Sequence, residues 1–147
     1  NSFEIPVENP LFRMATYMGV LDRSYSSPGK IRTEVAVFTI GNTMFLTTPG
    51  EIYPEIIYGG IIAPPGQDFN VKPQEIPPLI TLMKGKYNFI LGLANDQIGY
   101  IIPQSEWDKE PPHIDNIKEQ YGESFSVGFQ TAPIIHRESQ KMLAGFS

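Results

Sequence analysis

The chain has no cysteine, two histidines and one tryptophan among its 147 residues. The first absence excludes disulfides, thiolate nucleophiles and cysteine-based zinc sites. The second leaves little imidazole for a metal. His113 follows two prolines, His136 stands beside Arg137 and Glu138, and both read as packing or surface residues. No apolar run approaches the roughly 20 residues that span a bilayer. The opening residues also lack the basic-then-apolar pattern of a signal peptide. Basic charge is scarce: 11 Lys and Arg face 16 Asp and Glu, for a net charge of -5 without any block of like sign. Nucleic acid is therefore not an expected partner, because no basic stripe is there to neutralise phosphates. Gly-x-Ser-x-Gly, phosphate-loop and His-Glu-x-x-His patterns are missing as well.

What is present supports a packed core of one-domain size. Apolar residues make up 41% of the chain and aromatics 12%, and a chain of this length buries about two-thirds of its unfolded surface. The 14 prolines and 13 glycines favour short strands and elaborate loops over long helices. Residues 1–12 read as an extended lead-in and residues 16–22 as a strand, ended by the loop at 24–29. Glu34 to Ile40 and Thr43 to Thr47 are β-rich runs around Gly41-Asn42, which predicts a tight hairpin. Pro54 limits any helix after Glu51 to its first turn, and Gly59-Gly60 ends it. Residues 61–78 form a Pro- and Gly-rich excursion.

Further on, residues 78–83 predict a short helix and Tyr87 to Leu93 a buried strand. Residues 114–121 predict a short amphipathic helix. Thr131 to Phe146 predict a terminal helix that tolerates Pro133 in its first turn. The sum is an α+β fold with a mixed or antiparallel sheet, short helices and a C-terminal helix, as a single domain or domain fragment over residues 1–147.

Two loops that end strand-like runs hold the candidate chemistry. Thr48-Pro49-Gly50-Glu51 puts a carboxylate after a Pro-Gly turn. Gly92-Leu93-Ala94-Asn95 leads to Gly99-Tyr100. Read from the residues alone, Glu51 sits near the start of a helical turn, where the dipole favours it by about 0.3–1 kcal/mol, and Tyr100 is a core tyrosine with a satisfied hydroxyl. Asn95-Asp96 is first of all turn chemistry. The carboxylate pairs Glu51/Glu55 and Glu106/Asp108 have a spacing that suits glycoside hydrolysis only weakly, and Pro54 interrupts the first.

These loops resemble segments of the neutral/alkaline (non-lysosomal) ceramidase family, which carries a Pro-Gly-Glu turn and, later, Gly-Leu-x-Asn-x-x-x-x-Tyr. The resemblance extends to Gln120-Tyr121, Glu123-Ser124 and Gly128-Phe129-Gln130-Thr131, so that it spans about residues 31–145. Gly122 is a one-residue insertion within it, and the 61–78 excursion replaces a more direct family route. The resemblance implies that Glu51 and Tyr100 are ligands of a Zn2+ ion and that Tyr121 lies near the scissile amide. It assigns Asn95 to shaping the loop that aims Tyr100.

Two zinc-binding histidines, a serine and an arginine of the family have no counterpart before residue 31. The chain thus resembles the C-terminal part of a larger catalytic domain. Asn1 in place of a methionine is what a processed protein or an excised piece is expected to carry. The implied activity is a zinc-dependent amidohydrolase that cleaves the N-acyl bond of a ceramide-like lipid, secreted or extracytoplasmic, and touching a membrane surface without spanning it. The expected partners are the N-terminal part of the same polypeptide and the lipid. Self-association is expected wherever a strand edge stays uncovered. Tyr53, Ile56, Ile57, Tyr58 and Ile61 are the expected lining of an apolar groove, or else core. The alternatives are a non-catalytic ligand- or protein-binding domain derived from that fold, and a hydrolase of another amide or ester selected by pocket shape.

Overall fold

The computed structural model describes residues 1–20, 29–118 and 120–146. The fold is α+β, with antiparallel and mixed sheets and a C-terminal helix. Strands β1 (Ser2–Pro6) and β2 (Lys30–Glu34) pair antiparallel, with Ile5 opposite Ile31 and both side chains buried. Between them lies α1 (Pro10–Tyr17), which overturns the strand expected from residue 16; residues 21–28 of that strand and loop lie outside the described residues. The physical reason is local. Asn9 accepts hydrogen bonds from the Leu11 and Phe12 amides at 3.1 and 3.4 Å, and Pro10 fills the first helical position, where its missing N–H costs nothing.

The expected hairpin is present as β3 (Ala36–Ile40) and β4 (Thr43–Thr47), joined at Gly41 with φ of 59°. Alternation along β4 sends Met44 and Leu46 into the core, while Phe45 stacks on Phe38 at 4.9 Å on the opposite face. Strand β6 (Tyr87–Leu91) runs parallel to β4 and extends this stack with Phe89, 5.6 Å from Phe45. As the edge of its sheet, β6 exposes Tyr87, Phe89 and Leu91. It is not the buried strand that its continuous apolar run predicts.

Two short elements follow the turns. Strand β5 (Glu51–Ile52) leads into α2 (Pro54–Tyr58), with Pro54 in the first turn and Gly59 ending it at φ of 94°, as expected. Residues 61–78 contain no helix or strand. They are nonetheless fastened: Glu75 is fully buried and its Oε1 accepts from the Gln104 amide at 3.2 Å, and Ser105 Oγ donates to the Ile62 carbonyl at 2.6 Å. The helix α3 (Leu79–Leu82) starts after Pro78. Strand β7 (Tyr100–Ile101) pairs parallel with β5.

The helix expected over 114–121 is absent. Residues Ile114–Asn116 make one 3-10 turn, Asn116 takes φ of 58°, and helix α4 begins only at Tyr121 and ends at Ser124. A left-handed residue cannot continue a right-handed helix. The terminal helix α5 (Thr131–Gly145) packs against α3, β3 and β1 and seats Ala132, Ile135 and Leu143 in the core.

His136 lies on the buried side of α5, with Nε2 2.9 Å from the Pro77 carbonyl. Burial holds its imidazole below the ordinary histidine range, against the pull of that carbonyl and of Glu75. The folded state thus binds this proton less readily than the unfolded chain. Its contribution to stability is present above the unfolded value, about 6.5, and is lost as pH falls through it. Urea midpoints measured between about pH 7.5 and 5.5 are expected to fall more for the wild type than for His136→Gln, which keeps an N–H donor and does not titrate.

Candidate functional site

Strands β4 and β6 both run on into the β5/β7 pair, so the short turn at 48–50 lies against the longer loop at 92–99. Backbone bonds stitch the two together. Leu93 donates to the Gly50 carbonyl at 3.0 Å, Ala94 to Thr48 at 3.1 Å, Ile98 to Pro49 at 2.9 Å and Glu51 to Gly99 at 3.0 Å. Asn95 takes φ of 72°, and its Nδ2 donates to Thr47 Oγ1 at 2.6 Å. This residue therefore holds the loop to the end of β4, in keeping with a loop-shaping role. Asp96 accepts from the Gln97 amide at 2.8 Å and from Thr33 Oγ1 at 3.0 Å, the turn chemistry its neighbours suggest.

The result is a register in which Glu51 and Tyr100 are direct partners across β5/β7. Their side chains meet: the Tyr100 phenol is hydrogen-bonded to the Glu51 carboxylate. Partial desolvation first, and then that bond and the carboxylate's charge, hold the phenol above its ordinary range. Tyr100 is therefore a neutral donor at pH 7.

Its ring is met edge-on from two sides, by Tyr53 at 6.3 Å and 83° and by Tyr121 at 5.8 Å and 75°. Tyr121 in turn packs on Phe125 at 4.7 Å. Tyr121 reaches this place because the chain at 125–126 crosses the start of β7, where the Tyr100 amide donates to the Phe125 carbonyl at 3.2 Å and Gly99 bridges Ser126.

Glu51, Tyr100 and Tyr121 thus share one cavity of about 370 Å³. The remainder of its wall is mostly apolar and includes Val7, Phe12, Ile31, Leu93, Ile98, Phe125 and Val127. Volume and lining are those of small-ligand sites, a concave apolar space with few convergent polar groups. Three of its residues at the rim, Leu93, Tyr121 and Phe125, are exposed. The groove residues expected at 53–61 do not line this cavity: Ile56 is core, and Tyr53 acts through its ring against Tyr100.

Val7, Phe12 and Ile31, by contrast, come from the N-terminal segment to which the sequence reading assigned no site. The signal that locates them is the Asn9-Pro10 helix start. It turns Phe12 inward, and the Glu8 and Asn9 amides donate to the Val127 carbonyl at 2.8 and 3.1 Å.

The donor set fits part of a metal site. A carboxylate and a phenol close enough to share a proton are close enough to share a cation, and direct coordination lowers the pKa of a bound group. Among the described residues no group of three or more His, Cys, Asp or Glu side chains could hold an ion. Neither histidine lines the cavity: His136 is committed to Pro77, and His113 Nδ1 lies 3.3 Å from the Asp108 carbonyl. Comparison of the chain with protein-family models, with curated proteins and with solved structures finds no match.

Proposed function

We propose that the chain is the C-terminal part of a zinc-dependent amidohydrolase similar to neutral ceramidases, acting on the N-acyl bond of a ceramide-like lipid outside the cytoplasm. The observation that supports this most is the Glu51/Tyr100 pair, hydrogen-bonded in register at an apolar cavity with Tyr121 against it. Glu51 and Tyr100 would hold two positions on Zn2+, and the upstream part of the same polypeptide would supply the others. When bound, the ion activates a water and polarises the amide carbonyl.

The remaining roles belong to this chain. Glu51 accepts the Tyr100 proton in the metal-free pair, so ion and proton compete for the same two oxygens. Tyr121, anchored by Tyr100 and Phe125 with its side chain open to solvent, donates its phenolic hydrogen to the developing oxyanion. The wall of Phe12, Ile31, Leu93 and Val127 accepts the acyl chain and excludes water from the amide.

The same pair supports a second reading, a non-catalytic binding domain derived from that fold, because phenol and carboxylate satisfy each other without a metal. Zinc content and affinity of the chain joined to its upstream part separate the two. Stoichiometric zinc is expected, with affinity lowered by at least about 100-fold in Glu51→Gln and in Tyr100→Phe, at the upper limit of what loss of an outer-shell partner costs. An extended chain that binds no zinc removes the hydrolase reading and leaves the binding domain.

A further inference from the structure

A second cavity, of about 350 Å³, lies on the other side of the segment that carries Tyr121, and nothing in the proposed hydrolase uses it. Its walls have two characters. Phe69, Trp107 and Phe129 provide rings: Phe69 and Phe129 lie 4.3 Å apart, and Trp107 stands edge-on to Phe129 at 6.4 Å and 84°, so the rings form a corner rather than a stack. Glu8, Asp68, Glu110 and Glu123 provide carboxylates against the single cation Lys109. Ring faces and carboxylates both attract positive charge.

Two buried groups in this wall are left without partners. Trp107 is 4% exposed and its indole Nε1–H is unpaired; Glu123 is 3% exposed and its Oε2 is unpaired. Buried polar atoms of this kind are rare and point to a missing partner. The other carboxylate oxygens are already engaged by the backbone. Asp68 accepts from the Lys109 and Glu110 amides at 2.7 and 3.1 Å, Glu8 from Gln130 at 3.2 Å, and Glu123 Oε1 from Asp108 at 2.7 Å. Fastened in this way they cannot close around a small ion, and none of them belongs to a group able to hold a metal among the described residues. They suit a large, diffuse cation that needs a field and ring faces rather than a coordination shell.

We infer that this cavity is a binding site for a small organic ammonium ion, methylated at nitrogen and carrying a hydroxyl, with Phe69, Trp107 and Phe129 as its ring walls and Glu8 and Glu123 as its counter-charges. The hydroxyl gives the Trp107 N–H its missing acceptor. The site is independent of the zinc reading, since none of its residues lines the Glu51/Tyr100 cavity.

Trp107 is the only tryptophan in the chain, so its fluorescence reports the site directly. Titration with choline is expected to give a saturable change with a Kd of about 1–10 mM. The neutral isostere 3,3-dimethylbutan-1-ol is expected to give none over the same range. Glu8→Gln, which keeps an oxygen for the Gln130 amide, is expected to raise the Kd about tenfold, equivalent to 1.4 kcal/mol. Glu110→Gln, at an exposed position, is expected to raise it less, and circular dichroism checks that both variants fold. Equal binding of the neutral alcohol, an unchanged Kd in Glu8→Gln, or no saturable change up to about 100 mM choline overturns the inference.

Discussion

Gly99→Ala is expected to cost about 2–5 kcal/mol of folding free energy, the sum of a backbone penalty and a steric one. Gly99 takes φ of 87°, a conformation that L side chains rarely adopt. An added Cβ would also fall upon the Phe125 carbonyl oxygen, a backbone atom that cannot rotate aside. Gly50, facing Gly99 across β5/β7, meets the same constraint from the Gly99 carbonyl and from Ile101. The two glycines therefore let the strand carrying Glu51, the strand carrying Tyr100 and the crossing segment before Ser126 approach together.

Relief of the clash would push the 125–126 crossing away, break the bond from the Tyr100 amide to Phe125 and carry Tyr121 off the Tyr100 ring. The measurement is urea unfolding of Gly99→Ala beside Gly145→Ala. Gly145 ends α5, and an added methyl there meets nothing within 4 Å, so that control is expected to be neutral or stabilising by up to about 1 kcal/mol. A chain of this size loses about 2–4 °C of Tm per kcal/mol, which makes the contrast visible by melting as well. Equal midpoints for the two variants would mean that the crossing is looser than described.

The elements legible in the sequence are those whose signals are local. Gly41-Asn42 between two β-rich runs specifies the β3/β4 hairpin, Pro54 and Gly59 bracket α2, and the apolar positions of the last fifteen residues specify α5. Elements that depend on remote partners were not legible. Tyr87 to Leu91 has the composition of a buried strand, yet its burial is set by its place at the sheet edge. Residues 114–121 have helical composition, yet Asn116 leaves the helical region and the segment closes on Asp108, whose Oδ2 accepts from the Ile114 amide at 2.8 Å.

The site divides in the same way. Glu51 and Tyr100 stood out as residues at the ends of strand-like runs, but their adjacency needs the parallel register of β5 and β7. No pattern within either segment encodes that register. The apolar wall was the least legible part, because Val7, Phe12 and Ile31 join it only through the pairing of β1 with β2 and the bonds from Glu8 and Asn9 to Val127.

Two neighbouring residues of β4 test how the three-stranded sheet is covered. Leu46→Ala is expected to cost about 2–5 kcal/mol, the usual range for deleting a buried leucine. Leu46 is fully buried and belongs to the core that α5 closes. Phe45→Ala removes a larger side chain but from the other face, where its contacts are the rings of Phe38 and Phe89. Those neighbours are 39% and 51% exposed, so the truncation loses stacking worth about 0.5–1.5 kcal/mol and only partial apolar burial.

For the chain alone, then, urea unfolding should find Leu46→Ala the more damaging of the two despite the smaller deletion. An aromatic ladder open to water along an edge strand is also the surface on which self-association would begin. A second copy seated there would bury Phe45 fully. The cost of Phe45→Ala would then rise toward the 3–5 kcal/mol of a buried phenylalanine, and the unfolding midpoint would depend on protein concentration. Measuring both variants at two concentrations about a hundredfold apart distinguishes an open face from a self-covered one. A concentration-independent ranking with Leu46→Ala below Phe45→Ala in stability supports the open face; the reverse ranking overturns it.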